Sequence, residues 1–415
     1  MSPARPARRR ILFAWELGAN YGHAAQIDQV AEALPGNVDI YVAASDLAAF
    51  RAIAPNPDLR LLPAPRASVR RPTTGDTPAV NLSGLLATEG WDDPVDLATR
   101  IEAWRTIFRL TRPDAIVCQA APTAMLAALG GPSFRVTLGA GYDVPPSTDP
   151  LPAFDREDET AKTAAIAADA VMLENINYAR ARVGEAPLAR LSEVFDADLT
   201  LLMTWEVADH FAPRSELEPH PPPYLGALAT TQTGARASWR GGTAPKIFAY
   251  LRPGMPGTAA ALGALDALAS SADIILAIPG VSATDLQRLQ ARGVQVYDGP
   301  VRLKEILAKC DLAITHGSNG LGTLLLSHGV PQICLPGHIE QTLFTKAIAR
   351  SGAGLGLGGQ YTSATVAKLC QKCLQSKRIK QKAAEISAEI GAKTPSRAAK
   401  RAAESILELV NAKRP

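Results

Sequence analysis

The sequence predicts an α/β protein made of two Rossmann-like domains, each a parallel sheet covered by helices on both faces. Three observations predict it. Short apolar runs such as Ile11 to Leu17, Ala115 to Gln119 and Leu312 to Thr315 alternate with longer helical patterns, and strands that alternate with helices pair in parallel. The alternation stops once, from Pro219 to Gly242, where Pro221-Pro222-Pro223 and Gly241-Gly242 mark a linker. The 415 residues are enough for two cores of ordinary size.

Residues 1–10 (MSPARPARRR) read as a disordered basic tail, and residues 11–218 as the first domain. Ile11 to Leu17 is its first strand, and Gly18 to Gly22 turn the chain into a helix from Ala24 to Leu34, with His23 at the turn. Val38 to Ala44 and Leu59 to Leu62 follow as strands, with a helix around Asp46 to Ile53 between them. Pro63 to Pro94 has no sustained period and reads as an irregular insertion. Asp96 to Leu110 is helical, Ala115 to Gln119 is a strand, and Pro122 suits the first turn of the next helix. A strand at Arg135 to Leu138 ends in Gly139 to Asp143, a long helical region runs from about Arg156 to Val183, and a strand follows at Leu199 to Thr204.

Residues 219–243 are the linker and 244–390 the second domain. Strands at Lys246 to Tyr250, Ile274 to Ala277 and Val294 to Tyr297 alternate with helices near Thr258 to Ser270, Thr284 to Arg292 and Leu303 to Ala308. Leu312 to Thr315 then leads through His316 to Gly317–Gly320, a tight turn that opens an apolar helix. First-turn N–H groups without intrahelical partners, with the positive end of the helix dipole, make such a turn a seat for a diphosphate. Gln332 to Leu335 is the next strand, ended by Pro336-Gly337 before Glu340-Gln341 enter a helix. Residues 391–415 hold a last helix, started by Thr394-Pro395, whose face of Ala399, Ala402, Ala403, Ile406, Leu407 and Val410 suits packing back on the first domain.

The spacing of His316, Gly317, Gly320, Gly329-Val330-Pro331, Pro336 and Glu340-Gln341 resembles the donor-binding signature of UDP-glycosyltransferases of the GT-B fold. That resemblance implies two Rossmann-like domains whose parallel sheets face across a cleft. It implies an enzyme that moves a sugar from a UDP- or dTDP-sugar to an acceptor hydroxyl, with inversion, no metal and no cofactor. His316, Gly317, Ser318, Asn319 and Gly320 would hold the diphosphate, with His316 donating to a phosphate oxygen. Glu340 and Gln341 would contact the sugar and Val301 the base. Where the family carries a ribose-binding Glu, this chain has Leu324, which fits a deoxynucleotide donor, a ribose held from elsewhere, or donor binding that has weakened or been lost.

Gly22-His23, with Trp15 to Gly18, is similar to the family's base loop. An imidazole titrates near neutrality and can take the acceptor's proton. In several such families an aspartate orients this histidine; the comparable residue here is Gln119, and Glu16 and Asp143 are the nearby carboxylates offered in its place. Trp205 to His210 resembles a related bacterial subgroup and could line the acceptor side.

A net charge of +3, with 20% charged and 47% apolar residues, describes a soluble globular chain with no call for nucleic acid. No run reaches the roughly 18 apolar residues of a membrane span, and the apolar run after the tail is too short for a signal peptide. Peripheral contact of the basic tail with anionic lipid is the one membrane interaction the sequence offers. Five scattered cysteines suit the reducing cytoplasm, with Cys370 and Cys373 packed in a helix rather than on a metal. Asp196-Ala197-Asp198 reads as a turn. The partners expected are a nucleotide-sugar donor and a small-molecule or lipid acceptor with a hydroxyl. Two other readings remain: a non-catalytic nucleotide-sugar-binding protein, and a nucleotide-sugar epimerase or hydrolase of the same fold.

Overall fold

A computed structural model describes residues 8–18, 21–68, 79–156, 158–228, 234–357, 361–391 and 395–412. Most of the basic tail, Ala19-Asn20, the middle of the insertion, part of the linker and Thr394 lie outside the described residues. The chain divides into two compact units, one of residues 1–203, 211–228 and 396–415 and the other of 204–210 and 229–395. Each holds a six-stranded parallel sheet.

In the first unit the elements are β1 (Arg9–Trp15), α1 (Tyr21–Ala33), β2 (Val38–Ala44), α2 (Leu47–Ile53), β3 (Arg60–Pro63), α3 (Leu82–Leu86), α4 (Pro94–Thr111), β4 (Ala115–Gln119), α5 (Pro122–Ala128), β5 (Phe134–Gly139), α6 (Glu159–Arg182) and β6 (Leu199–Leu202). The sheet order is β3-β2-β1-β4-β5-β6. β1 is central, and its residues from Ile11 to Trp15 are wholly buried because helices cover both faces of the sheet. Ile11, Phe13 and Trp15 point into one core, Leu12 and Ala14 into the other. Short polar side chains start the helices: Asp46 caps α2, Asp93 caps α4 with Pro94 in its first turn, and Asp158 caps α6.

The insertion is more ordered than its lack of period suggests. Asn81 caps α3 through Oδ1, which accepts from the Gly84 N–H at 3.1 Å. The buried Asp169 carboxylate on α6 accepts from Asn81 Nδ2 at 2.7 Å, Ser83 Oγ at 2.5 Å and the Leu151 N–H at 2.6 Å. α3 spans five residues and runs into one wide helical turn at Ala87–Trp91, broken at Gly90 with φ +84°. So short a helix has no room to show a helical repeat.

The second unit contains β7 (Lys246–Tyr250), α7 (Thr258–Leu268), β8 (Asp273–Ala277), α8 (Ala283–Ala291), β9 (Gln295–Tyr297), α9 (Lys304–Leu307), β10 (Leu312–Thr315), α10 (Asn319–Ser327), β11 (Gln332–Cys334), α11 (Ile339–Ser351), β12 (Gly354–Gly356), α12 (Ser363–Gln375) and α13 (Lys377–Ile390). The sheet order β12-β11-β10-β7-β8-β9 places β10 beside β7. β12 is Gly-Leu-Gly and carries no alternation to read. Its glycines are forced by packing, since a Cβ on Gly354 would lie 2.4 Å from the Gln332 carbonyl oxygen and one on Gly356 2.1 Å from Thr345 Cγ2. Cys370 and Cys373 are buried in the core of this unit, and burial pushes their thiols up to about 12 and about 11.

α14 (Pro395–Asn411) returns to the first unit. Ala398, Ala399, Ala402, Ala403, Ile406 and Val410 share a core with Ile11, Phe13 and Trp15, and Leu407 packs at its margin. Trp205–His210, read in the sequence as an acceptor-side segment, belongs with Thr204 to the second unit: Asn319 Nδ2 donates to Thr204 Oγ1 at 3.2 Å and Arg350 Nη2 to the Asp209 carbonyl at 3.3 Å. The Asp196-Ala197-Asp198 triplet is part of the fold's wiring, with Asp198 accepting from the Arg135 N–H at 2.7 Å.

Candidate active site

Each sheet reverses its strand order once, between β1 and β4 in the first unit and between β10 and β7 in the second. Loops diverge beyond the strand ends at such points, and ligands of open α/β sheets bind there. His23 and Glu16 lie at the first of these points and residues 316–320 at the second, whereas Asp143 follows β5 and Val301 follows the edge strand β9.

In the first unit Trp15 and Gln119 are paired in register as the last residues of β1 and β4. The chain leaving β1 is fixed by the chain leaving β4, because Ala120, held at φ +47°, accepts at its carbonyl from the N–H groups of Glu16 at 3.3 Å and Leu17 at 2.9 Å. His23 sits in the first turns of α1, stacked on Trp15 with ring centroids 5.6 Å apart. Its Nδ1 lies 2.6 Å from Gln119 Oε1, and Gln119 Nε2 lies 3.3 Å from Gln26 Oε1. With the Gln119 amide set this way round, its oxygen faces the imidazole, so Nδ1 carries the proton and Nε2 the lone pair. This tautomer is assigned from the hydrogen-bond pattern. Gly18 lies against the ring: at φ +80°, a Cβ there would come 2.4 Å from His23 Nε2.

The two carboxylates offered as partners of His23 are engaged elsewhere, which corrects that expectation. Glu16 caps α5, its oxygens accepting from the N–H groups of Thr123 at 3.0 Å and Ala124 at 2.7 Å. Burial pushes its carboxyl up to about 7 despite those bonds. Asp143 folds back on its own turn, against Gly139 and the Ala140 N–H, and burial pushes it too up to about 7. Both sit at strand ends, where a sequence cannot show which way a side chain turns.

These shifts set a pH dependence. A carboxyl whose folded pKa is raised binds its proton more tightly folded than unfolded, so its contribution to stability is lost as pH climbs from the unfolded value towards the folded one. Glu16, Asp143 and Asp28, the last raised to about 6 by burial and by Glu32, all act in this direction. Chemical denaturation is expected to show lower stability at pH 8 than at pH 5 from these groups. Asp143→Asn is expected to flatten the slope, gaining on the order of 1–3 kcal/mol over the wild type at pH 8.

In the second unit Gly317 makes the turn from β10 into α10. At φ +82° it is wedged so closely that a Cβ would lie 2.8 Å from Thr345 Oγ1 and 3.2 Å from the Gln341 carbonyl oxygen. Its own N–H donates to Thr315 Oγ1 at 3.0 Å. The first amide of α10 with an intrahelical acceptor is that of Gly322, which donates to the Ser318 carbonyl at 2.9 Å. The N–H groups of Asn319, Gly320 and Leu321 therefore stand at the open, positive end of the helix, and Ser318 Oγ makes no capping bond to them.

His316 does not fit its expected role as a phosphate donor. It is buried, its Nδ1 lies 3.0 Å from the Leu335 carbonyl, and its Nε2 accepts from the Arg252 N–H at 3.1 Å. Donating at one nitrogen and accepting at the other makes the ring neutral, and burial lowers its pKa accordingly. Its work is structural: it ties the ends of β7, β10 and β11 together. The signature fixes where a histidine falls, not what its nitrogens face.

Gln341 Oε1 accepts from the Gly337 N–H at 2.8 Å, which leaves its NH2 as the donor for a ligand. Glu340 lies beside it in the first turn of α11. The Val301 side chain is in the core, and the bridge beside it uses the carbonyl of Pro300 and the N–H of Arg302. Only the main chain of Val301 can then reach a base. Leu324 is also a core residue, packed with Phe248 and Val330, so no carboxylate stands at the family's ribose position.

Residues 259–404 match the family model described as erythromycin biosynthesis protein CIII-like, C-terminal domain. Among curated protein sequences, none matches the chain. In structure it is similar to the glycotransferase of kitacinnamycin, with a TM-score of 0.68 and 15% identity over 98% of this chain and 100% of that one. It is similar to glycosyltransferase VinC in complex with dTDP (TM-score 0.65, 16% identity, 95% and 100% covered). A third likeness is to the spinosyn rhamnosyltransferase SpnG complexed with spinosyn aglycone (TM-score 0.61, 17% identity, 96% and 100% covered). The chain has the GT-B fold.

Sequence reasoning passed over two residues of this GT-B chain. Gln26 is the second link behind His23, and its signal was its place one helical turn after His23 on the same face of α1. His338 is exposed at the N-cap of α11, and its pKa is lowered by desolvation first and then by His316 and Arg252. Its signal was its place two residues before the Glu340-Gln341 pair.

Proposed function

We propose that this GT-B protein transfers a sugar from a nucleoside-diphosphate sugar to an acceptor hydroxyl, with inversion and without a metal. The observation that carries this reading is the imidazole at the β1/β4 switch point, held at Nδ1 by Gln119, so that Nε2 is the nitrogen that would receive the acceptor's proton. As the acceptor oxygen bonds to the anomeric carbon, the bond to the diphosphate oxygen breaks, and the electron pair leaves with the nucleoside diphosphate. The amides of Asn319, Gly320 and Leu321, the Ser318 hydroxyl and the dipole of α10 suit that growing negative charge. The Arg252 charge lowers the pKa of both His316 and His338, and an anion bound beside them would offset that charge. Gln341 and Glu340 would take sugar hydroxyls and the main chain of Val301 the base.

The buried Leu324 favours a donor that asks little of the ribose, and we read it as a dTDP-sugar. A GT-B neighbour was solved with dTDP and another with an aglycone, which is the same pairing of ligands. The five cysteines, none of them in a disulfide, suit a reducing compartment, and we place the protein in the cytoplasm. Among the described residues no helix is long and apolar enough to cross a membrane.

Calorimetric titration tests the donor. dTDP is expected to bind at least as tightly as UDP, in buffer containing EDTA as well as in buffer with magnesium. Binding of neither nucleotide would remove the transferase reading. Tighter UDP binding would remove the deoxynucleotide assignment alone.

A further inference from the structure

The largest charge asymmetry of the chain lies on α12 and α13, outside the residues assigned above to donor and acceptor. From Gln341 to Ala384 the sequence holds no Asp or Glu, and Lys368, Lys372, Lys377, Arg378, Lys380 and Lys382 fall within 15 residues of it. These are six of the chain's 43 lysines and arginines; the remaining 37 stand against 40 acidic residues, so the net charge of +3 comes from this stretch. Both helices turn an apolar face inward, α12 with Val366, Cys370 and Cys373 and α13 with Ile379, Ala383, Ile386 and Ile390, and all six cations are exposed. Ser376 joins the helices at a single residue: its N–H donates to the Lys372 carbonyl at 3.0 Å, and its Oγ accepts from the Ile379 N–H at 3.2 Å. The main chain therefore gathers Lys372, Lys377, Arg378 and Lys380 at one corner before any partner arrives.

Helix stability does not account for these cations. An exposed helix face is ordinarily stabilised by charges of both signs three or four residues apart, as on α8, where Arg288 pairs with Asp285 at 2.9 Å and with Asp266 of α7 at 3.0 Å. On α12 and α13 Lys382 pairs with Glu385 at 2.6 Å, while among the described residues the other five side chains have no hydrogen bond or ion pair. Lys377, Arg378 and Lys380 also stand in the first turn of α13, at the positive end of its dipole, where cations are disfavoured. Negative charge laid over this face would remove both costs.

The make-up of the face says what carries that charge. Gln371, Gln375 and Gln381 are the exposed polar residues among the cations, and no exposed aromatic or large apolar side chain stands there to stack on a base or to anchor a folded partner. Five of the six cations are lysines, point charges on flexible stems, where recognition of a defined phosphate or base edge favours the arginine fork. Point charges without an anchor suit a negative surface of no fixed geometry. Anionic lipid headgroups are such a surface, and helices bearing about four to eight Lys or Arg bind them.

We propose that the basic face of α12 and α13 docks the protein on membranes that contain anionic lipid. The contact is electrostatic and reversible, because nothing on this face inserts into the hydrocarbon. It is distinct from the lipid contact expected of the basic tail, and it does not rest on the transferase reading.

The test is co-sedimentation of the full chain with vesicles of phosphatidylcholine, alone or mixed with phosphatidylglycerol. At an ionic strength of about 0.1 M the protein is expected to partition onto the anionic vesicles at least about 10-fold more strongly than onto the neutral ones, and to lose that preference at about 1 M, where salt screens the charges. The combined variant Lys372→Gln, Lys377→Gln, Arg378→Gln, Lys380→Gln is expected to bind anionic vesicles at least about 10-fold more weakly. It is expected to melt no lower than the wild type, since three of the four charges oppose the helix dipole. The double variant Lys368→Glu, Lys372→Glu, confined to α12, is expected to weaken binding about 10-fold or more as well, and decides the matter if the first variant does not fold. Equal partition onto neutral and anionic vesicles would overturn the inference. So would anionic binding kept by the folded variants, as the basic tail alone would give. Duplex DNA or poly-glutamate bound more tightly than the anionic vesicles at the same salt would overturn lipid as the occupant.

Discussion

Replacing His23 with alanine is expected to lower kcat by about 10²- to 10⁴-fold, the range for losing a positioned general base, with dTDP affinity unchanged. The split follows from placement. His23 belongs to the first unit and shares its ring with Trp15 and Gln119, while the diphosphate is assigned to the α10 turn of the second. Gly18→Ala is expected to have nearly the same effect without touching the imidazole chemically. A methyl group there would lie 2.4 Å from His23 Nε2, at a φ of +80° that side chains avoid, so the ring must leave its place. Steady-state kinetics beside a nucleotide titration separates these outcomes from loss of fold. Normal kcat in either variant would move the base elsewhere.

Gly317→Ala is expected to weaken dTDP binding at least about 10-fold and to destabilise the protein by about 1–3 kcal/mol. Two costs coincide. The left-handed conformation penalises any side chain, and the added Cβ would press on Thr345 Oγ1 and on the Gln341 carbonyl, which is main chain and cannot step aside. Relief of that contact would shift the start of α10 or of α11, and with it the open amides of Asn319 to Leu321 or the Gln341 amide. His316→Ala should behave differently. Since its nitrogens hold Leu335 and Arg252, its loss should lower thermal stability, and any loss of nucleotide affinity should follow from loosened loops.

Strands buried on both faces, such as Ile11 to Trp15 and Leu312 to Thr315, were legible because continuous apolar runs bounded by turn residues have few other meanings. The turn into α10, proposed above to seat a diphosphate, was legible from Gly317 and Gly320, since a tight turn into an apolar helix dictates open amides. Elements made by packing rather than pattern were not: β12 has no alternation, and α3 owes its form to Asp169 on a distant helix. Side-chain direction at strand ends was also hidden. Glu16 turned to α5, His316 turned inward, and Gln119, whose position was noted for lacking a charge, proved to hold His23.

The most direct measurement of the central claim is proton NMR of the product formed from dTDP-α-D-glucose and 4-nitrophenol. The proposed inverting transfer with His23 as the base predicts a β-glucoside with a large anomeric coupling, absent with His23→Ala. An α-glucoside, free glucose as the sole product, or a β-glucoside formed equally fast without His23 would contradict it.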